Sequence, residues 1–293
     1  MLDFKEILKA DLLLITTAVI WGFAFVFQTL GLEFIGPITF VFFRFLIASI
    51  IFLVLFKFGM KNESKLHDSS LDYYSIILGI IMVIGMLLQQ IGLQYTTVAR
   101  AGFVTSLYII FVPLLALFFS LKTDLLTLIG IVVALMGFYL LANINPEEFL
   151  FGDLLMLASS VLWASHVLII SRIARLVSIV RVMTIQFVTV AVISGVLMLL
   201  YESWSINDLA RATYSLLFVA ILSSCLGFSF QVLAQRKAPP SHSALILSTE
   251  AIFAALGGWL ILNQNLSGLE IFGCLLILLG GIISQAKIFK KAL

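Results

Sequence analysis

The chain alternates between long apolar runs and short polar interruptions. Runs of about 20 residues recur throughout, at roughly 11–30, 37–56, 73–95, 100–119, 125–143, 153–171, 180–201, 213–234, 242–262 and 268–286. Each is long enough to cross about 30 Å of hydrocarbon as a helix. The short alternating segments of a transmembrane barrel are absent, so the pattern predicts ten transmembrane helices. The longest polar interruption is KFGMKNESKLHDSSLD (57–72), and no soluble domain, linker or low-complexity tract is visible. The first run is too long for a signal-peptide core and lacks a small-x-small cleavage site, so it is expected to remain as the first helix.

The pattern also repeats. Residues 11–22 read DLLLITTAVIWG and residues 153–164 read DLLMLASSVLWA, identical at five of twelve positions at an offset of 142. The offset persists: Arg44 falls on Gln186, Phe45 on Phe187, Gln89 on Gln231, Ser106 on Ser248, Tyr108 on Glu250 and Phe111 on Phe253. After one inserted residue, Gly130 and Gly137 fall on Gly273 and Gly280. The chain therefore divides into two five-helix repeats, 1–145 and 146–293. Five is odd, so the second repeat enters the membrane from the opposite side. The expected fold is all-α integral membrane, with two inverted repeats related by a pseudo-twofold axis in the membrane plane. That arrangement is characteristic of secondary transporters, with a site near the midplane and alternating access.

Composition agrees with the pattern. Of 293 residues, 62% are hydrophobic and 11% charged, with mean hydropathy +1.19; a soluble domain carries about 25% charged residues. Lysine and arginine set the orientation. With the N-terminus inside, fourteen of the 17 fall on the cytoplasmic side, Arg100 and Arg211 fall outside, and Arg44 lies within a span. The positive-inside bias predicts a multi-pass protein of the cell membrane with both termini cytoplasmic. Cys225 and Cys274 lie inside spans without metal-ligand spacing and read as packing residues.

The WG of Ile20-Trp21-Gly22 with its echo Leu162-Trp163-Ala164, the FFRF around Arg44, TTVARAGFVTSLYIIFVPLLA (96–116), STEAIFAALGGWLIL (248–262) and GCLLILLGGII (273–283) resemble the drug/metabolite transporter superfamily, in its EamA-type ten-helix branch. The resemblance covers essentially the whole chain. It implies cytoplasmic termini, a central cavity between the halves, and export or exchange of small metabolites such as amino acids. Three positions depart from the family pattern. Ala251 stands where proline often follows the ninth-helix Glu. Lys122 and Gln264 stand where Glu often lies just past the fourth and ninth helices, which puts a charge-dependent role there in doubt.

Few residues in the spans carry chemistry. Glu250 is the acid that lies well inside one, roughly 11 Å deep at 1.5 Å per residue. A charged group there costs about 2.5–3.5 kcal/mol on insertion scales and normally faces the protein interior or a wet cavity. It reads either as a proton-coupling or cation-binding carboxylate, or as a packing acid bonded to a neighbour. Arg44, the one basic residue deep in a span, reads as a fork for a substrate carboxylate or as a structural arginine paired with carbonyls or Glu250; its uncharged mate Gln186 favours the second. Trp21 and Trp163 lie near mid-depth, as cavity walls with cation–π capacity or as packing. Tyr108, the mate of Glu250, should line the same region. His166 follows Trp163 by one turn and reads as a titratable group or, more simply, a histidine satisfied by one hydrogen bond. Gln28, Gln89, Gln90 and Gln231 suit a path for zwitterions or interhelical bonds. His242 with Pro239-Pro240 reads as a structural turn. Gly130/Gly137 and Gly273/Gly280, spaced by seven, suit close packing of the fifth and tenth helices.

These features point to a secondary transporter of small organic solutes, an exporter or exchanger; the alternative is a multidrug or organic-cation efflux carrier. An enzyme is disfavoured, since there is no HExxH, no aspartate cluster for Mg²⁺ and no Ser/His/Asp set at one depth. No selectivity-filter loop or ATP-binding motif is present. No cofactor, metal or nucleic-acid partner is expected. The expected partners are a small-molecule substrate and the lipid bilayer, with the chain as a monomer.

Overall fold

The computed structural model describes residues 4–58, 69–118, 123–142, 151–265 and 267–292. Among them ten helical segments follow one another: α1 (Phe4–Leu32), α2 (Pro37–Phe58), α3 (Ser69–Gly92), α4 (Val98–Phe118), α5 (Leu125–Ala142), α6 (Phe151–Ile173), α7 (Ile179–Tyr201), α8 (Ile206–Gln235), α9 (Pro240–Leu262) and α10 (Gly268–Ala292). Eight are long and apolar enough to cross a membrane by length and composition. The other two contain the shorter apolar stretches Leu125–Leu141 and Gly268–Ser284, which belong to α5 and α10 and pack on each other. Outward faces are apolar, as at Leu199 and Leu117, 78% and 70% exposed; this is the surface of a protein solvated by lipid.

Helix ends differ from the apolar runs where polar residues extend a helix beyond them. Helix α1 already includes Phe4–Ala10 ahead of Asp11, and in that extension Glu6 pairs with Lys9 (3.6 Å) and with Lys237 (3.4 Å). Helix α8 starts at Ile206 rather than near 213. Its polar first turns are capped by Ser205, whose Oγ accepts from Asp208 N (3.1 Å) while donating to Asp208 Oδ2 (2.6 Å); this is a reciprocal cap. At the start of α2, Glu202 from the end of α7 accepts from Ile38 N (3.0 Å) and Thr39 N (2.7 Å), placing an anion on a positive helix end.

Contacts between the halves obey a twofold exchange. Thr17 Oγ1 donates to Gly227 O (3.4 Å), and the repeat-equivalent Ser159 Oγ donates to Gly85 O (3.0 Å). The rings of the mates Phe45 and Phe187 lie 5.5 Å apart where α2 meets α7. A Cβ on Gly130 would lie 2.5 Å from Gly280 O, and one on Gly280 equally close to Gly130 O. Gly137 and Gly273 oppose each other in the same way, at 2.5 and 2.6 Å. Residues 130 and 137 thus face 280 and 273, so α5 and α10 run antiparallel. A twofold relating antiparallel helices is perpendicular to them, which is the inverted-repeat geometry.

Helices α4 and α9 tighten midway, at equivalent places. Leu107 and Thr249, 142 residues apart, both have φ −62° and ψ −8° and sit between two helical pieces. The turn is carried by i→i−3 bonds such as Leu107 N to Val104 O and Thr249 N to Ile246 O. In α9, Ser248 and Thr249 also direct their hydroxyls to carbonyls three residues back (2.8 and 2.7 Å), competing with the regular ladder. The two breaks touch: Ser106 Oγ donates to Ser248 O (3.1 Å). A second irregularity is one-sided. Helix α8 widens to i→i+5 geometry over Phe218–Gly227, while the equivalent stretch of α3 stays α-helical.

Candidate functional site

A cavity of about 480 Å³, counted to its open mouth, lies beside the paired breaks of α4 and α9. Its wall holds eight of the nine candidate residues: Trp21 and Gln28 from α1, Arg44 from α2, Gln89 from α3, Tyr108 from α4, Trp163 from α6, Gln231 from α8 and Glu250 from α9. His166 is not on it. Three residues beyond Trp163, its ring is turned about 60° round the helix, where Nε2 meets Gln186 Oε1 of α7 at 2.9 Å. It packs behind the wall against Trp163 and Phe228, each at 5.8 Å between ring centroids. This is the single-bond histidine, away from the solute space.

Arg44 is fully buried. Its Nε donates to Ser224 Oγ (2.7 Å), Nη2 to Ser223 Oγ (3.0 Å) and Nη1 to Gln28 Oε1 (3.3 Å). The guanidinium also lies 5.1 Å from the Phe45 ring centroid, within cation–π range. Neither Glu250 nor any backbone carbonyl holds it, contrary to the structural pairing considered from the sequence. No ion pair joins Arg44 to a carboxylate among the described residues. Charged hydrogen bonds contribute about 1.5–3 kcal/mol each, enough to offset insertion of the arginine without neutralising it. The positive charge remains in the wall.

Glu250 opens the second piece of α9, just past the break. Its Oε1 has no hydrogen-bond partner, nor has the hydroxyl of Tyr108, which lies beside it across the pseudo-axis. The two groups adjoin without good hydrogen-bond geometry. The cavity thus carries a cation whose three nitrogens are all partnered, Nη1 also by Met86 Sδ (3.3 Å), and a carboxyl group with one oxygen unbonded.

Aromatic rings shape the space between them. Trp21 Nε1 donates to Ser223 O and Trp163 Nε1 to Gln89 Oε1, both at 3.1 Å. Phe228 lies between the two indoles, 5.0 Å from Trp21 and 6.0 Å from Trp163. Gly227 is required beside it, since any Cβ there would strike the Trp21 indole. Ser223, Ser224 and Phe228 were not among the candidates. The signal for the two serines was a polar pair inside an apolar run.

The departures from the family pattern are of two kinds. Lys122 lies outside the described residues. Gln264 folds back over the end of α9, with its backbone N bonded to Gly258 O (3.1 Å). Cys225 and Cys274 are free. Among the described residues no group of three His, Cys, Asp or Glu side chains could hold a metal ion.

Two antiparallel-paired, inverted helix bundles with broken helices at a shared cavity define a multi-pass membrane transporter. The EamA-like transporter family matches residues 8–143 and again residues 150–284, so the chain belongs to that family and carries its unit twice. It is 30% identical over 284 residues to an uncharacterized transporter of Archaeoglobus fulgidus, covering 96% of this chain and 87% of that one. It is 27% identical to the uncharacterized transporter YoaV of Bacillus subtilis, covering 93% and 95%. A solved crystal structure at 16% identity superposes with a TM-score of 0.76 over 96% of this chain and 98% of its own, a likeness of fold.

Proposed function

We propose that the protein is a secondary active transporter of small organic metabolites such as amino acids, an exporter or exchanger rather than an enzyme. It works by alternating access, with residues 1–145 and 146–293 rocking about the shared cavity. The observation that carries this reading is the separation of charge in the wall: Arg44 without a carboxylate partner and Glu250 with an unbonded carboxyl oxygen. A zwitterion satisfies both, its carboxylate on the Arg44 fork and its ammonium toward Glu250 and the indoles. Gln28, Gln89 and Gln231 add neutral donors and acceptors along the path. The lysine and arginine distribution supports cytoplasmic termini and a place in the cell membrane, and the proposed working unit is the monomer.

One observation favours a second reading, an organic-cation efflux carrier. Trp21, Trp163 and Phe228 surround the approach to Glu250 as a cage for a quaternary ammonium would. Arg44 separates the two. In a thermal-shift screen of purified protein against amino acids, nucleosides and quaternary cations, an amino acid should raise the melting temperature. Arg44→Gln should abolish that shift. A shift by a quaternary cation that survives or grows in Arg44→Gln, with none from amino acids, contradicts the zwitterion reading.

A further inference from the structure

Two buried acid–base pairs join the halves outside the cavity, one at each end of the helical bundle. At the end where α1 and α9 begin, Asp11 Oδ1 is 2.8 Å from His242 Nε2. At the end where α4 and α6 begin, Asp153 Oδ2 is 2.6 Å from Arg100 Nη2, and Thr96 Oγ1 also donates to Asp153 (3.0 Å). All four are largely or fully buried, with Asp153 0% and Asp11 7% exposed at the side chain. The 142-residue offset carries Asp11 to Asp153 and Arg100 to His242. The two pairs are therefore one contact made twice. At one end the first half supplies the acid and the second half the base; at the other end the roles are exchanged.

Their placement gives them leverage on the cavity without touching it. Each pair joins two helices from different halves that both reach the cavity wall, α1 to α9 and α6 to α4. Opening an end requires those two helices to separate there. A buried acid–base contact is costly to break dry, because its polar or charged groups are left without partners. Water entering at that end removes the cost by hydrating both groups. Such a contact has two stable conditions, made and dry or broken and wet, with little between. In this structure both pairs are made.

We propose that Asp11–His242 and Asp153–Arg100 are paired end locks of the carrier, each made while its own end is shut and broken when that end opens. The proposal rests on the alternating-access reading. All four are positioning residues, acting through helix contacts and not on the solute. Because the halves rock as bodies, loss of one lock favours opening at its own end and therefore closure at the other.

Hydrogen–deuterium exchange of the full chain in lipid nanodiscs reads both ends at once. Asp11→Asn should speed exchange across residues 5–12 and 240–247 and slow it across 98–106 and 151–158. Asp153→Asn should do the reverse, each change being about tenfold for a shift of population between two states. Arg100→Lys, which keeps the charge, should hold the wild-type profile. If Asp11→Asn does not fold, His242→Gln breaks the same pair from the other side and should give the same profile. Faster exchange at the altered end with no slowing at the other would overturn the proposal and make the pairs local staples. If wild-type protein exchanges solute across liposomes and the variants show no reciprocity, the locks fail alone. If reciprocity appears without solute exchange, the locks stand and the transport reading fails.

Discussion

Arg44 brings a cation and Glu250 a carboxyl group into one cavity, and the two leave each other unpaired. The arginine spends its donors on Ser223, Ser224, Gln28 and Met86, all neutral, and Glu250 adjoins the Tyr108 hydroxyl. Pairing the two would satisfy both and leave nothing for a solute, so their separation is the residue-scale basis of the proposed function. Glu250→Gln keeps the shape and removes the ionisable group. It should abolish flux driven by a pH gradient in proteoliposomes while the melting temperature stays near wild type; undiminished proton-driven flux would exclude Glu250 as the coupling group. These two side chains were legible in the sequence because a deep charge stands out in an apolar run. Ser223 and Ser224 were not, because a serine inside a transmembrane helix usually bonds its own backbone, as Ser194 does to Val190 O. His166 was misplaced for a geometric reason: three residues along a helix is close to one turn, and the remaining 60° decides which side of the wall a ring occupies.

At the scale of the elements, glycine spacing was the clearest guide. Gly130, Gly137, Gly273 and Gly280 were expected to permit close packing, and they do so backbone to backbone. A methyl on Gly137 would meet both Gly273 O (2.5 Å) and Ile277 N (2.8 Å), neither of which can rotate away. Gly281, one residue past the seam, has nothing within 4 Å of a Cβ. Gly137→Ala should therefore destabilise the protein by about 1–3 kcal/mol as an overpacked contact. Gly281→Ala should change stability by less than about 0.5 kcal/mol. Melting temperatures of the two variants in the same detergent check the contrast, and equal effects would contradict the seam. The break at Thr249 had no proline to signal it, whereas the one at Leu107 precedes Pro113, which lies inside the second piece of α4 and loosens the turn before it. At Thr249 hydroxyls compete for backbone carbonyls, and the contact of Ser106 with Ser248 that joins the two breaks exists only once the halves are assembled. The wide segment Phe218–Gly227 was invisible for a related reason: its repeat mate in α3 is an ordinary helix, so the difference is a property of tertiary packing. Mid-helix departures of both kinds are common at functional sites, and here both border the cavity.

On the scale of the whole molecule, a single offset carries most of the architecture. It relates the helices, the glycine seam, the breaks and the two buried acid–base pairs, although the last have different bases and do not look alike in sequence. In the proposed alternating-access cycle, two halves that exchange by rotation give the carrier two equivalent shapes, open to opposite sides of the cavity. The most direct test is solute counterflow in liposomes holding the purified protein. Vesicles preloaded with an unlabelled amino acid mixture should accumulate labelled amino acid from outside with no ion gradient and no chemical change to the solute, and Arg44→Gln should lose this. Equal labelling of preloaded and empty vesicles, or conversion of the amino acid to a product, would contradict the account.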